Sequence, residues 1–161
     1  MAITQDTIYT TKNNIPFPVS YGITDALQLY VGAVVDLTAG LLVNHAASGL
    51  VVGMVVRAGQ PGNDPNMFTP LLGDVINDGL GGTLYTQAVV ETGEFDLIGV
   101  PVTGLTYVQG DVGTAVYATD NGTWANAGGG GEKPFGFVIG LNAGANLYDI
   151  HVYSAAQRKG L

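Results

Sequence analysis

The chain has 161 residues and a formal net charge of −8; 47% of its residues are hydrophobic and only 11% are charged, where an ordinary soluble domain carries roughly 25% charge. This length fits a single domain with one core, and so little charge indicates that polar uncharged side chains, or contacts with other subunits, cover much of the surface. The 5 Lys and Arg residues are too few for a nucleic-acid-binding patch, and the absence of cysteine excludes disulfides, thiolate zinc sites and cysteine nucleophiles.

No targeting or membrane-spanning segment is predicted. Residues 1–6 lack a basic start followed by an apolar run, and no stretch approaches the roughly 18 continuous apolar residues of a membrane helix. We therefore expect a protein that is made in the cytoplasm, stays soluble and has no membrane partner.

The first 22 residues differ from the rest of the chain. They contain spaced apolar residues without a hairpin signal, and Pro16 and Pro18 impose an extended path. We predict that residues 1–22 form an extended N-terminal arm that reaches a neighbouring molecule, and that residues 23–161 form a single β domain. The alternative is an edge strand folded on the chain's own barrel, and the sequence alone does not separate the two.

The composition predicts an all-β fold. The chain has 25 glycines together with abundant Val, Thr and Tyr, a combination typical of short strands joined by tight turns. Only residues 25–29 and 155–158 have the composition of a helical turn, and both segments are too short to be stable alone. Turn signals at intervals of roughly 8–12 residues favour a small β-barrel or β-sandwich.

A weak internal duplication relates residues 32–59 to residues 114–144. Each copy predicts a strand, a turn, a short return strand, a loop, and a further strand that begins at a glycine. The first turn closes at Gly40. The second closes at Asn121–Gly122, which is among the strongest two-residue hairpin signals.

The remaining segments also predict strands and turns. Residues 59–66 and 78–82 are predicted loops, residues 84–100 alternate around Gly93 as a second hairpin, and residues 146–153 alternate as a closing strand. The side chains predicted to face inward are Phe95, Leu97, Val100, Tyr148, Ile150 and Val152.

No catalytic constellation is found in the sequence. His45 lies in a polar segment with the character of a hairpin tip, and His151 lies on the outward face of the closing strand. Neither histidine has a neighbour in sequence that would orient it, so we predict surface or subunit-contact roles. Glu91, Glu94 and Asp96 are predicted to occupy turn and outward strand positions rather than to form an acid–base pair. We expect no enzymatic activity.

Metal and cofactor sites are not predicted either. The two histidines lack the spacing of a zinc site, and Asp120–Asn121–Gly122 lacks the ligand ladder of a calcium loop. The run Gly128–Gly131, followed by Glu132 and Lys133, lacks the spacing of a phosphate-binding loop, so we predict a flexible hairpin loop there.

The second half of the chain carries a family resemblance in four segments: Gly110–Tyr117, Asn121–Thr123, Pro134–Ile139 and Asp149–Val152. Their spacing of glycine and β-branched residues resembles the capsid decoration (cement) proteins of bacteriophages, best over residues 86–153 and more weakly over 27–59. The resemblance implies a β-barrel or β-tulip domain that forms a homotrimer on the outer surface of an icosahedral head. It also implies binding to the phage major capsid protein at three-fold positions, where the trimer would stabilise the lattice without catalysis.

Within this resemblance, the N-terminal arm is the expected contact with the capsid or with a neighbouring trimer. An extended segment can add as a strand to an exposed sheet edge, and five apolar side chains would then fill pockets: Ile3, Ile8, Tyr9, Ile15 and Phe17. The alternative function is a carbohydrate- or receptor-binding adhesion module of a phage head or tail fibre. Its binding platform would be formed by aromatic side chains, namely Trp124, Tyr30, Tyr107, Tyr117 and Tyr148.

Overall fold

A computed structural model of the chain describes residues 7, 9–23, 29–46, 50–59, 87–129, 131–144 and 146–160. Strands dominate these residues, and the predicted all-β class is confirmed. The strands are β1 (Thr10–Ile15), β2 (Pro18–Ile23), β3 (Val34–Thr38), β4 (Leu41–Asn44), β5 (Val51–Gly59), β6 (Gln87–Glu91), β7 (Glu94–Pro101), β8 (Ala115–Ala118), β9 (Trp124–Ala125), β10 (Gly136–Leu141) and β11 (Leu147–Val152). A 3-10 turn covers Gln109–Asp111 and a short helix, α1, covers Ala155–Gly160. No helix in this part of the chain is long and apolar enough to cross a membrane.

The strands form a six-stranded sheet and a closed ring. The sheet has the order β1-β7-β11-β10-β8-β9, and the ring joins β2, β4, β3, β5 and β6. The ring closes because β2 pairs antiparallel with β6 and parallel with β4. Val34, Val51 and Met54 of the ring belong to the same buried cluster as Trp124 and Tyr148 of the sheet. Ring and sheet therefore share this cluster, and a second buried cluster, which includes Val35, Leu42 and Val90, lies within the ring.

One long antiparallel ribbon passes from the sheet into the ring. Residues 10–23 run beside residues 87–98, because β1 pairs with β7 in the sheet and β2 pairs with β6 in the ring. At the junction, the backbone N–H and the hydroxyl of Thr92 donate to the Phe17 carbonyl at 3.1 and 2.6 Å. The Glu91 carboxylate accepts from the backbone N–H groups of Phe17 and Gly93 at 2.7 and 2.8 Å. These hydrogen bonds hold the two segments of the ribbon together where they pass from the sheet into the ring.

The ribbon corrects the predicted hairpin at residues 84–100. In the described part of this segment, β6 pairs with β2 and β5, whereas β7 pairs with β1 and β11. The predicted alternation is nevertheless confirmed, since Phe95, Leu97 and Val100 are buried. Alternation specifies which face of a strand is buried, but it does not specify the neighbouring strand.

The ribbon also corrects the predicted arm over residues 10–22. These residues pair within the chain's own sheets, and β1 is an edge strand, which is the alternative considered from the sequence. Pairing is favoured because it satisfies backbone groups of β6 and β7 that would otherwise lie at open edges. All of β1 is exposed, so this strand is attached mainly through its backbone. Residues 1–6 and 8 lie outside the described residues, and a contact of the N-terminal segment with a neighbouring molecule stays a prediction.

The two duplicated units have the same pairing order. β3 lies between β4 and β5 in the ring, and β8 lies between β9 and β10 in the sheet. In the second unit the Asp120 carboxylate accepts from the Gly122 N–H at 2.8 Å and from the Thr123 hydroxyl at 2.9 Å. The turn is therefore longer than the two-residue Asn-Gly turn expected from the sequence, because β9 begins only at Trp124. Hydrogen bonds to the Asp120 side chain stabilise it.

In the first unit, by contrast, both central residues of the hairpin turn have left-handed backbone conformations. Between β3 and β4, Ala39 and Gly40 have φ angles of 51° and 82°, the pattern that favours Asn-Gly, and a left-handed alanine costs about 1–2 kcal/mol. We expect Ala39→Asn to raise the free energy of unfolding by about 0.5–1 kcal/mol and Ala39→Val to lower it, as measured by urea denaturation. The opposite order of the two variants would contradict this turn.

The closing strand agrees with its prediction. In β11, Tyr148, Ile150 and Val152 are buried and the alternate residues are partly exposed. Residues 25–28 of the helical turn predicted at 25–29, residues 60–66 of the loop predicted at 59–66 and the turn predicted at 78–82 lie outside the described residues. Gly59 belongs to β5 rather than to a loop.

Candidate functional site

The junction between β1 and β2 exposes two large apolar side chains. Ile15 and Phe17 are 65% and 68% exposed, the largest values among the exposed large hydrophobic side chains of the described residues. Pro16 and Pro18 keep this segment extended. Both apolar residues were predicted contacts of the arm, and the structure places both at the surface.

An apolar groove of about 450 Å³ lies beside these side chains, within the size range of ligand pockets. Ribbon residues form one wall and the start of α1 forms the other. The lining includes Ile15, Phe17, Tyr21, Glu94, Ala155 and Ala156. We call this surface the ribbon groove. Its chemistry suits an apolar side chain, with Glu94 as the charged residue of the lining.

The other predicted arm contacts do not join the ribbon groove in the described residues. Ile3 and Ile8 lie outside the described residues. The Tyr9 ring packs edge-on against Trp124, with 6.2 Å between ring centroids. Burial, with a contribution from the charge of Asp120, raises the pKa of Tyr9 above its ordinary value. Tyr9 thus contacts the chain's own core, and its contact with a neighbouring molecule stays a prediction.

The aromatic platform that the alternative function requires is not exposed at Trp124 or Tyr148. Trp124 is only 2% exposed and stacks on Phe135 with 4.8 Å between ring centroids, and Tyr148 is fully buried. The Tyr148 hydroxyl donates to Asp111 at 3.0 Å and accepts the Tyr107 N–H at 2.7 Å. These aromatic side chains build the core because it offers their rings apolar contacts and their polar ends hydrogen-bond partners.

A polar cluster forms around Asp111, which accepts the hydrogen bond from the Tyr148 hydroxyl. The Asp111 carboxylate also accepts the Val108 N–H at 3.0 Å. This bond, together with that from Tyr148, lowers the pKa of Asp111. Burial and the hydrogen bond to Asp111 raise the pKa of Tyr148. The cluster fixes the loop before β8 against β11.

His45 is buried rather than placed at a hairpin tip, with 3% exposure. Its Nδ1 lies 2.8 and 2.9 Å from the two carboxylate oxygens of Asp36. Its Nε2 lies 3.2 Å from Glu132 Oε1 and 2.5 Å from the Ala118 carbonyl oxygen. The sequence analysis missed both carboxylate partners. One signal was present, because Asp36 directly follows the apolar pair Val34–Val35 in a strand.

The glycine-rich loop explains how Glu132 reaches this histidine. Gly131 has a left-handed φ of 87°, and Glu132 Oε2 accepts the Gly129 N–H at 2.7 Å. The Glu132 side chain is fully buried. In its described part, the loop predicted to be flexible therefore turns a carboxylate into the core.

His151 lies on the outward face of β11, as predicted, but it has an orienting partner that the sequence did not indicate. Its Nδ1 is 2.8 Å from Asp96 Oδ1 and its Nε2 is 3.8 Å from Glu94. The second oxygen of Asp96 accepts from the Asn13 side chain at 2.5 Å. Asp96 is 4% exposed, which corrects its predicted outward position. The group links β1, β7 and β11.

Arg158 is a buried cation in α1, with 1% exposure. Its guanidinium donates to the Val51 carbonyl at 3.1 Å, to the Val52 carbonyl at 2.8 Å and to the Tyr153 carbonyl. It also lies 5.3 Å from the centroid of the Phe135 ring. Burial lowers the pKa of Arg158 to about 10, so the group is charged at neutral pH and ties α1 to β5.

Among the described residues, no group of three or more His, Cys, Asp or Glu side chains could hold a metal ion. The candidate binding surface that we consider in this part of the chain is the ribbon groove with Ile15 and Phe17. A scan against protein-family models and searches of curated proteins and of solved structures found no match to this chain.

Proposed function

We propose that this chain is a non-enzymatic structural protein that decorates the outer surface of a phage head as a homotrimer. In this role it binds the major capsid protein and stabilises the capsid lattice. The observation that carries the proposal is the pair of exposed apolar side chains, Ile15 and Phe17, at the edge of the ribbon groove. Large exposed apolar side chains beside a groove are typical of protein-binding surfaces.

The charges of the chain support a protein partner. Its net charge of −8 opposes binding to nucleic acid. Of the ionic groups described above, those of His45 and Arg158 lie within the fold, and Glu94 alone lines the ribbon groove. A single groove offers a modest contact. Three linked copies at a three-fold position would convert modest contacts into firm attachment through their effective concentration.

The alternative of a carbohydrate-binding adhesion module loses its main support. Stacking on a sugar requires an accessible aromatic face, whereas Trp124 is covered by Tyr9 and Phe135. The protein-binding function is therefore the one that we propose.

Replacing both exposed side chains, Ile15→Ser with Phe17→Ser, is expected to weaken binding to expanded heads of the encoding phage by at least about tenfold. The expectation follows because buried apolar anchors dominate interface energies. Co-sedimentation with purified heads measures the effect, and circular dichroism checks the fold. Leu50→Ser is the matched control, because Leu50 is 46% exposed but does not line the groove. Unchanged binding of the double variant would move the contact elsewhere.

A further inference from the structure

His45 lies where the ring meets the six-stranded sheet. It directly follows β4, and its Nδ1 contacts Asp36 of β3, both strands of the ring. Its Nε2 contacts the carbonyl of Ala118 in β8 and the Glu132 carboxylate in the loop before β10, both on the sheet side. One imidazole therefore bridges the two parts of the fold.

Both ring nitrogens of His45 face hydrogen-bond acceptors. A carboxylate lies at Nδ1, and a carbonyl and a second carboxylate lie at Nε2. A neutral imidazole has one N–H, whereas the imidazolium has two. The side chains of His45 and Glu132 are fully buried, so water does not compensate for a missing donor. Only the imidazolium satisfies both sides while the two carboxylates are ionised.

The charged groups around His45 strengthen this requirement. Asp36 faces it from β3 and Glu132 from the glycine-rich loop. Asp120 lies on the β8–β9 loop opposite Ala46, and its carboxylate is turned to Gly122 and Thr123. All of these groups are acidic. Burial lowers the pKa of His45, but the hydrogen bond and charge of Asp36, with Glu132 and the Ala118 carbonyl, outweigh burial and raise that pKa above 6.5.

We propose that protonated His45 is a charged latch that links the ring to the sheet, and that loss of its proton as the pH rises weakens the contacts between the two. Without the proton, the buried acceptors on one side of the ring, either Asp36 at Nδ1 or Glu132 and the Ala118 carbonyl at Nε2, lose their hydrogen-bond donor. The carboxylates of Asp36 and Glu132 also lose the cation between them. The first contacts to weaken are those beside the latch, including the hydrogen bond from the Val34 N–H to the Asn121 carbonyl at 2.9 Å. The latch does not depend on the proposed capsid function.

The direction of the pH dependence follows from linkage. Because the folded protein holds the His45 proton more tightly than the unfolded chain, the added stability is fully present below pH 6.5 and is lost as pH rises through the folded pKa. Each unit of upward shift corresponds to about a tenfold change in the ratio of folded to unfolded protein.

The first test is NMR of the purified full-length protein labelled with ¹⁵N in its two histidines, followed from pH 5 to pH 10. His151→Gln assigns the signals. We expect His45 to keep both ring protons above pH 6.5. As it loses one of them, the backbone amides at the ring–sheet junction should lose protection from hydrogen exchange in the same pH range. A neutral His45 ring at pH 6.5, or deprotonation without any change at the junction, would overturn the latch.

The second test uses Glu132→Gln. Its amide can donate to a neutral Nε2 while Nδ1–H donates to Asp36, so deprotonated His45 is accommodated. We expect the fall in the ratio of folded to unfolded protein with rising pH, measured by urea denaturation at each pH, to be severalfold smaller in this variant. Glu94→Gln, beside the partly exposed His151, is the matched control and should keep the full fall. Equal drops in all three proteins would reject the proposal. If Glu132→Gln does not fold, the NMR titration of the unmodified protein decides.

Discussion

Arg158→Ala is expected to lower the free energy of unfolding by about 3–5 kcal/mol. The substitution removes the donor of three backbone carbonyls, those of Val51, Val52 and Tyr153, and it leaves a space against the Phe135 ring. A hydrogen bond from a charged donor contributes about 1.5–3 kcal/mol. The burial that lowers the Arg158 pKa to about 10 opposes this loss, so the expected total is smaller than three such bonds.

Urea denaturation measures the effect, and Lys159→Ala is the matched control. Lys159 is the next residue of α1 and is exposed, so its replacement should change the stability by no more than about 0.5 kcal/mol. Arg158→Lys should fall between the wild type and Arg158→Ala, because one ammonium cannot reproduce the fork of the guanidinium. If Arg158→Ala were as stable as Lys159→Ala, α1 would not be held by this residue.

Gly93→Ala is expected to destabilise the fold by about 3–5 kcal/mol or to prevent folding. A Cβ atom on Gly93 would lie 2.0 Å from the Ile15 carbonyl oxygen and 2.9 Å from the Phe17 backbone nitrogen. Both are backbone atoms, so the clash is relieved only by separating the two segments of the ribbon. That separation breaks the bonds between Phe17 and the residues before Gly93.

Gly140→Ala is the control for this substitution. Gly140 lies in β10, and no heavy atom lies within 4 Å of a Cβ built there. We expect Gly140→Ala to change the free energy of unfolding by less than about 1 kcal/mol, and the yield of folded protein and urea midpoints compare the two variants. A well-folded Gly93→Ala with a wild-type midpoint would show that the ribbon tolerates a wider spacing.

Local sequence patterns correctly predicted which face of a strand is buried and which segments repeat the same strand order. Alternation identified the buried face of β11, with Tyr148, Ile150 and Val152, because successive side chains of a strand point to opposite faces. The duplicated segments likewise have the same pairing order in the ring and in the sheet. These features require no knowledge of distant partners.

Features that depend on distant partners were not predictable in the same way. The alternation of residues 84–100 gave no indication that β6 and β7 belong to different sheets. His45 and Glu132 are separated by 87 residues, and Arg158 and Val51 by 107. Charged residues are exposed by default when a sequence is read alone, so the buried positions of Asp36, Asp96 and Arg158 were missed.

The candidate site was partly predictable for a physical reason. Ile15 and Phe17 stand next to prolines that hold the segment extended, and both were predicted as apolar contacts of an arm. The packing of Tyr9 on Trp124 was not predicted, because the sequence does not distinguish an aromatic ring that contacts a partner from one that packs on the chain's own core. The ribbon groove itself arises from the packing of α1 beside the ribbon, which local patterns do not indicate.

Binding of the unmodified protein to purified heads of the encoding phage tests the central claim most directly. Expanded and unexpanded heads lacking the protein would be mixed with increasing amounts of it, and the bound copies would be counted after sedimentation. We predict saturable binding to expanded heads, with one trimer at each three-fold position. A protein that leaves expanded heads unoccupied at every concentration would contradict the proposed function.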